Sequence, residues 1–150
     1  MRPDPRASGP DPGASGTDGG SHGGAKELPA RASQHSTAGP YSPVLLVRPR
    51  ALIVTSGQAA IDADGRVVGA SVEEQATVTL ENCRRRLAEA GCTLDDVFKV
   101  NVYLADLADW SRFNDVYERA FREPRPARTT VGAKLLPGLL VEIEMWAART

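Results

Sequence analysis

Pro126–Trp146, PARTTVGAKLLPGLLVEIEMW, is the stretch whose reading decides the fold of this chain. It reads as two strands joined by a Pro137-Gly138 turn. In the first, Arg128, Thr130, Gly132 and Lys134 share one face, and Thr129, Val131, Ala133 and Leu135 the other. In the second, Val141, Ile143 and Met145 alternate with Glu142, Glu144 and Trp146. Alternation with period two gives each strand an apolar face and a chemically loaded one. An arginine grips a carboxylate by two parallel N–H bonds, and a glutamate held nearby orients or deprotonates water. The combination points to a small anionic substrate and a hydrolytic step.

Working outward, the elements before this pair supply a cover for its apolar side. Ser71 and Glu74 form a capping box, and Val72, Ala76, Leu80, Cys83, Leu87 and Ala90 follow at helical spacing, with Gly91 as the stop. Val97–Leu104 alternates as a strand with Phe98, Val100, Val102 and Leu104 on one face. A second helix is expected from Trp110 to Phe121, capped by Asp109, with Trp110, Phe113, Tyr117, Ala120 and Phe121 as its buried stripe and Asn114 on the same side. Pro43–Val47 and Ala51–Gly57 read as strands around an Arg48–Arg50 turn, and Arg66–Val68 as a short third one. The expected order is therefore β-β-β-α-β-α-β-β, an α+β single domain with two helices packed on one face of a sheet. The other face would carry Arg128, Thr130, Glu142, Glu144 and Trp146 uncovered, which suits contact with other subunits. If the last two strands form a simple hairpin, Glu142 lies opposite about residue 133. At about 3.4 Å per residue that is roughly 17 Å from Arg128. The two side chains then meet one substrate only if the strands are not simple neighbours or the site spans a subunit boundary.

Bulk properties narrow the function. Lys plus Arg number 18 against 19 acidic residues, so no field draws in nucleic acid or an anionic membrane. The two cysteines, Cys83 and Cys92, are too few for a disulfide framework, and Cys92 is expected to be partly exposed. His22 and His35, the only histidines, lie in the N-terminal tail, so no metal site is expected. There is no apolar run of transmembrane length and no secretory h-region, which makes the cytoplasm the expected location. Residues 1–37 are rich in Gly, Pro, Ser and Asp with Leu28 as their single large aliphatic side chain, and read as a disordered extension.

Several short motifs stand in order along residues 36–148: G-P-Y-S at Gly39–Ser42, S-G-Q at Ser56–Gln58, E-E-Q at Glu73–Gln75, E-N at Glu81-Asn82, N-x-x-Y at Asn114–Tyr117, then P-A-R-T-T-V and V-E-I-E. Together they resemble the RidA/YjgF family of enamine/imine deaminases. The resemblance implies that residues 38–150 form a RidA-type, chorismate-mutase-like domain that assembles as a homotrimer with sites between subunits. It implies cofactor-free hydrolysis of 2-aminoacrylate and related 2-imino acids to 2-oxo acids and ammonia. Carried over by position, Arg128 binds the substrate carboxylate and Glu142 orients the attacking water. Tyr41, Asn114, Ser56, Gly57 and Thr130 line the pocket. Thr130 stands where many members have cysteine, so thiol chemistry is not expected here. Gly132 stands where some have glutamate.

Read without the resemblance, Arg128 is an ordinary interface arginine, Asn114 a turn-locking amide and Tyr41 a packing residue. Glu144 reads as structural, paired with Lys99 or Lys134. A non-catalytic metabolite-binding or chaperone-like protein on the same scaffold is the alternative. A ribonuclease or translation inhibitor ranks last, because it wants a basic surface and a histidine or lysine acid–base pair.

Overall fold

In the computed structural model, residues 25–35 and 39–150 are described. Among these residues the strands and α-helices are β1 (Lys26–Glu27), β2 (Leu46–Val47), β3 (Ala51–Val54), β4 (Gln58–Ala59), α1 (Val72–Glu89), β5 (Val97–Leu104), α2 (Trp110–Ala120), β6 (Ala127–Gly132) and β7 (Val141–Arg149). The main sheet runs β3-β7-β5-β6, with β4 also paired to β7. Both helices pack on one face of it, as the α+β reading expected.

Apolar spacing explains the core. The α1 residues Val72, Ala76, Leu80, Cys83 and Leu87 meet Val100, Val102, Ile143 and Met145 of the sheet and Phe113 and Tyr117 of α2. The capping box forms in both directions: Glu74 N–H donates to Ser71 Oγ, and Ser71 N–H to the Glu74 carboxylate. Such a cap stabilises a helix by about 1 kcal/mol. Gly91, at φ 70°, ends the helix in the left-handed region where a side chain is strained. Asp109 does not cap α2 as expected. Its carboxylate accepts from Arg112 instead, and Asp106 caps a preceding 3-10 turn, Leu107–Asp109.

Three strand expectations are corrected. The final pair is not a hairpin, because β5 lies between its two strands. β6 runs parallel to β5, pairing Arg128 with Val100 and Thr130 with Val102, while β7 runs antiparallel on the other edge, pairing Glu142 with Tyr103. Helix α2 provides the crossover that a parallel pair requires. Second, a register shift between Val97 and Lys99 puts Val97 into the core in place of Phe98. Third, Arg66–Val68 forms no strand beyond one bridge, Ile61 to Val67.

The N-terminal reading also changes. The expected disorder over 1–24 and 36–37 lies outside the described residues. Over 25–35 the chain is held: β1 pairs with β2, so β2 serves this ribbon rather than a hairpin with β3. Lys26 Nζ donates to the Val97 carbonyl at 2.6 Å, and Arg48 N–H to that of Ala25 at 2.9 Å. Order here comes from backbone pairing, which apolar composition does not report.

Directly paired residues point to the same side of a sheet. The open face therefore carries Leu52, Val54, Lys99, Asn101, Tyr103, Thr129, Val131, Glu142, Glu144 and Trp146. Leu52 and Val54 are 58% and 60% exposed there. Arg128 and Thr130, expected on this face, lie on the helix-covered side with their partners Val100 and Val102. No helix of the described residues is long and apolar enough to cross a membrane.

Candidate active site

The residues singled out by sequence fall into two groups on opposite sides of the sheet. Arg128, at the β6 edge, projects into an aromatic enclosure. Its Cζ lies 4.6 Å from the ring centre of Tyr117, 5.3 Å from Tyr41, 5.6 Å from Trp110 and 5.9 Å from Phe113. Aromatic faces attract a guanidinium electrostatically but accept none of its in-plane N–H bonds. Both Nη1 and Nη2 are buried and have no hydrogen-bond partner among the described residues. The same holds for Thr130 Oγ1, Asn114 Oδ1 and Tyr117 Oη. Each orphaned group costs roughly 1–3 kcal/mol, so the enclosure favours a ligand that satisfies several at once. A planar carboxylate matches the guanidinium fork. Burial lowers the Arg128 pKa, but arginine remains a cation. Burial also pushes the Tyr117 phenol well up, so it stays a neutral donor. Gly39 closes the rim, where an added Cβ would sit 3.0 Å from Arg128 Nη2.

Glu142 sits on the open face in the opening residues of β7, flanked by Tyr103 on β5 and Ala59 on β4. Its carboxylate has no hydrogen-bond or ion-pair partner among the described residues. β3 breaks at Thr55, whose backbone N–H and hydroxyl oxygen bond the backbone of Met145, and Ser56-Gly57 swings out before β4. A Cβ on Gly57 would lie 2.0 Å from Glu142 Oε1, so a side chain at this position would displace the carboxylate from where it stands. A cleft of about 440 Å³ includes Gly57, Gln58, Asn82, Leu136, Leu139 and Glu142.

Glu144, two residues on, is already engaged. It accepts from Asn101 Nδ2 at 3.0 Å and Tyr103 Oη at 2.9 Å. The expected lysine partner is replaced by these neutral donors, while Lys99 donates to Thr129 at 2.7 Å. The structural reading of Glu144 stands on that geometry.

Tyr41, Asn114 and Thr130 thus gather with Arg128, and Ser56 and Gly57 with Glu142. The two groups do not meet within one chain. The register separates Arg128 from Glu142 by two strand spacings and three residues along β5, roughly 14 Å, with the side chains on opposite faces. Sequence reading missed Trp110, Phe113 and Tyr117 as walls of the arginine enclosure, because aromatic residues at helical spacing read as core. Their coincidence with the N-x-x-Y motif was the available signal. Cys92 is corrected to buried, at 3% exposure, and burial pushes the Cys83 thiol up to about 12. Among the described residues no group of three or more His, Cys, Asp or Glu side chains is placed to hold a metal ion.

Comparison with known proteins bears on this arrangement. The profile of the family described as Endoribonuclease L-PSP matches residues 32–149. The mitochondrial protein mmf2 of Schizosaccharomyces pombe is 40% identical over 126 residues, covering 81% of this chain and 98% of the relative. The 2-iminobutanoate/2-iminopropanoate deaminase of Bos taurus is 38% identical over 126 residues, covering 83% and 90%. The solved structure of E. coli TdcF with bound serine superposes with a TM-score of 0.59 at 29% identity, covering 75% of this chain and 94% of that one.

Proposed function

Because the chain belongs to the Endoribonuclease L-PSP family, the RidA/YjgF family with its chorismate-mutase-like fold, we propose that it hydrolyses 2-imino acids to 2-oxo acids and ammonia. The observation that carries this reading is the buried Arg128 guanidinium with two unpartnered nitrogens, set apart from a Glu142 carboxylate left free to hold water. We take the working unit to be a homotrimer in which Arg128 of one chain and Glu142 of the next face a common cleft. The separation of the two groups and the exposed Leu52, Val54 and Val131 on the open face support that arrangement.

In this mechanism Arg128 receives the substrate carboxylate, with the Thr130 and Tyr117 hydroxyls as further donors. An enamine such as 2-aminoacrylate first tautomerises to its imine. Glu142 orients water against the imine carbon and takes a proton as the C–O bond forms. The resulting carbinolamine loses ammonia after the proton returns to nitrogen, and the C=O bond of the 2-oxo acid replaces the C–N bond. Imine and water balance 2-oxo acid and ammonia with no redox step. The deaminase from Bos taurus and the serine bound to TdcF support a small 2-amino-acid skeleton as ligand. A ribonuclease reading gains no support from the described residues of the site, none of which is histidine, or from a net charge of −1.

The test is a coupled assay in which a pyridoxal-phosphate dehydratase makes the imine from serine or threonine. Faster 2-oxo acid release on adding the protein is the expected result. No acceleration across several amino-acid sources contradicts hydrolysis and leaves a binding protein.

A further inference from the structure

Helix α1 carries two side-chain amides that a helix built only to fill a core has no use for. Gln75 is 1% exposed among apolar neighbours. A buried amide is costly unless its hydrogen bonds are met. Its bonds all go to main chain: Nε2 donates to the carbonyls of Gly69 at 3.0 Å and Gly138 at 2.9 Å, and Oε1 accepts from Leu140 N–H at 2.8 Å. Two turns later, Asn82 Nδ2 donates to the carbonyls of Ala59 at 2.9 Å and Ile61 at 3.0 Å.

The segments held in this way flank one residue. Leu140 immediately precedes β7, two positions before Glu142, and Ala59 is Glu142's partner across the β4–β7 ladder. Gly57, two residues before Ala59, approaches the Glu142 carboxylate so closely that a Cβ there would displace it. The place of β4 therefore sets the room available to that carboxylate. β4 itself is only two residues long, and its ladder to β7 pairs two residues. The Asn82 bonds add to a short anchorage. Arg128 has no such tie to α1; its enclosure is built from α2 and Tyr41.

We infer that Gln75 and Asn82 are positioning residues for the water-activating carboxylate, fixing the backbone on both sides of Glu142 from one helix. This rests on the hydrolase reading above. It implies a split phenotype. Damage to these amides lowers the rate of imine hydrolysis and leaves carboxylate binding at Arg128 intact.

The test uses the full chain with Asn82→Asp, an isosteric change that sets an acceptor against two carbonyl acceptors. Imine hydrolysis is measured in the coupled assay. Binding of 2-oxobutanoate, a stable product, is measured by calorimetry. Displacing a catalytic group by about 1 Å costs on the order of 100-fold in rate, so a fall of roughly 10- to 100-fold is expected, with product affinity within about twofold of the unsubstituted protein. A folded, assembled variant with full activity overturns the role, and so does one that loses rate and binding in parallel. If Asn82→Asp does not fold, Asn82→Ala decides by the same two readouts, and failure of both to fold overturns the role in favour of plain stability. An inactive unsubstituted protein would instead sink the hydrolase reading, and this role with it.

Discussion

The two sides of the sheet treat their charged residue in opposite ways. On the helix-covered side, Arg128 is buried among four aromatic rings with both terminal nitrogens unpartnered. On the open side, Glu142 lines a cleft of mixed polar and apolar side chains, with a glycine pressed against it. A desolvated cation with unused donors suits ground-state binding of an anion. A carboxylate open to water suits activation of that water. The difference teaches that an anion-binding group and a water-facing carboxylate occupy separate walls, which one chain does not bring together; the proposed hydrolysis gives binding to the first and chemistry to the second.

Substitutions can break this division or sharpen it. The largest effect is expected from Arg128→Ala, which removes the anion fork. Product binding and hydrolysis should both disappear, as read by calorimetry and the coupled assay. Arg128→Lys should recover only part, since an ammonium offers no fork. Retention of product affinity in Arg128→Ala would break the assignment of this wall to binding.

Glu142→Gln should be next. Removing a general base costs about 10²- to 10⁴-fold, while 2-oxobutanoate should still bind within a fewfold. Loss of affinity comparable to that of Arg128→Ala would show that the two walls are not functionally distinct.

Thr130→Val gives a smaller effect of informative sign. The Thr130 hydroxyl is buried and unpartnered in the chain, so its removal should leave the melting temperature unchanged or slightly raised. If the hydroxyl faces ligand, affinity should fall by roughly the value of one hydrogen bond, about 1 kcal/mol or some fivefold. A lower melting temperature with unchanged affinity would make Thr130 a packing residue.

The smallest effect concerns the thiols. Cys83 donates toward the Ile143 carbonyl beneath β7, and burial raises both cysteines' pKa values. Native protein at pH 8 should resist iodoacetamide at both positions and label only on unfolding. The folded thiol of Cys83 ionises near about 12, above the unfolded value near 8.5. Its contribution to stability is therefore complete below the unfolded value and lost as pH rises through the folded one. Rapid labelling of the native protein would contradict the packing of α1 on β7.

Much of this was legible in the chain. The Ser71–Glu74 box, the α1 stripe and the alternation of β7 reflect local rules, and the structure follows them. The motifs named Arg128 and Glu142 and the pocket residues, and the structure sorts them into two groups. What misled was the parity of β6. Period two says which residues share a face but not which face meets the helices, and both faces of this edge strand mix polar and apolar groups. Of the two alternatives left open for the last strands, the structure shows that they are not simple neighbours; a Pro-Gly turn is a local signal, whereas the insertion of β5 depends on a crossover spanning α2. Gln75 and Asn82 stood in recognised motifs, yet their backbone partners 63 and 23 residues away in sequence are visible only in the fold.

The most direct test of a site shared between chains is complementation. Arg128→Ala and Glu142→Ala chains, carrying different tags, are co-expressed, and assemblies containing both are purified. Each variant alone should be inactive. If Arg128 of one chain works with Glu142 of the next, each mixed trimer holds one complete pair among its three boundaries, and imine hydrolysis should return to roughly a third of the unsubstituted value. Mixed assemblies that form normally and stay inactive would contradict a site built from two chains.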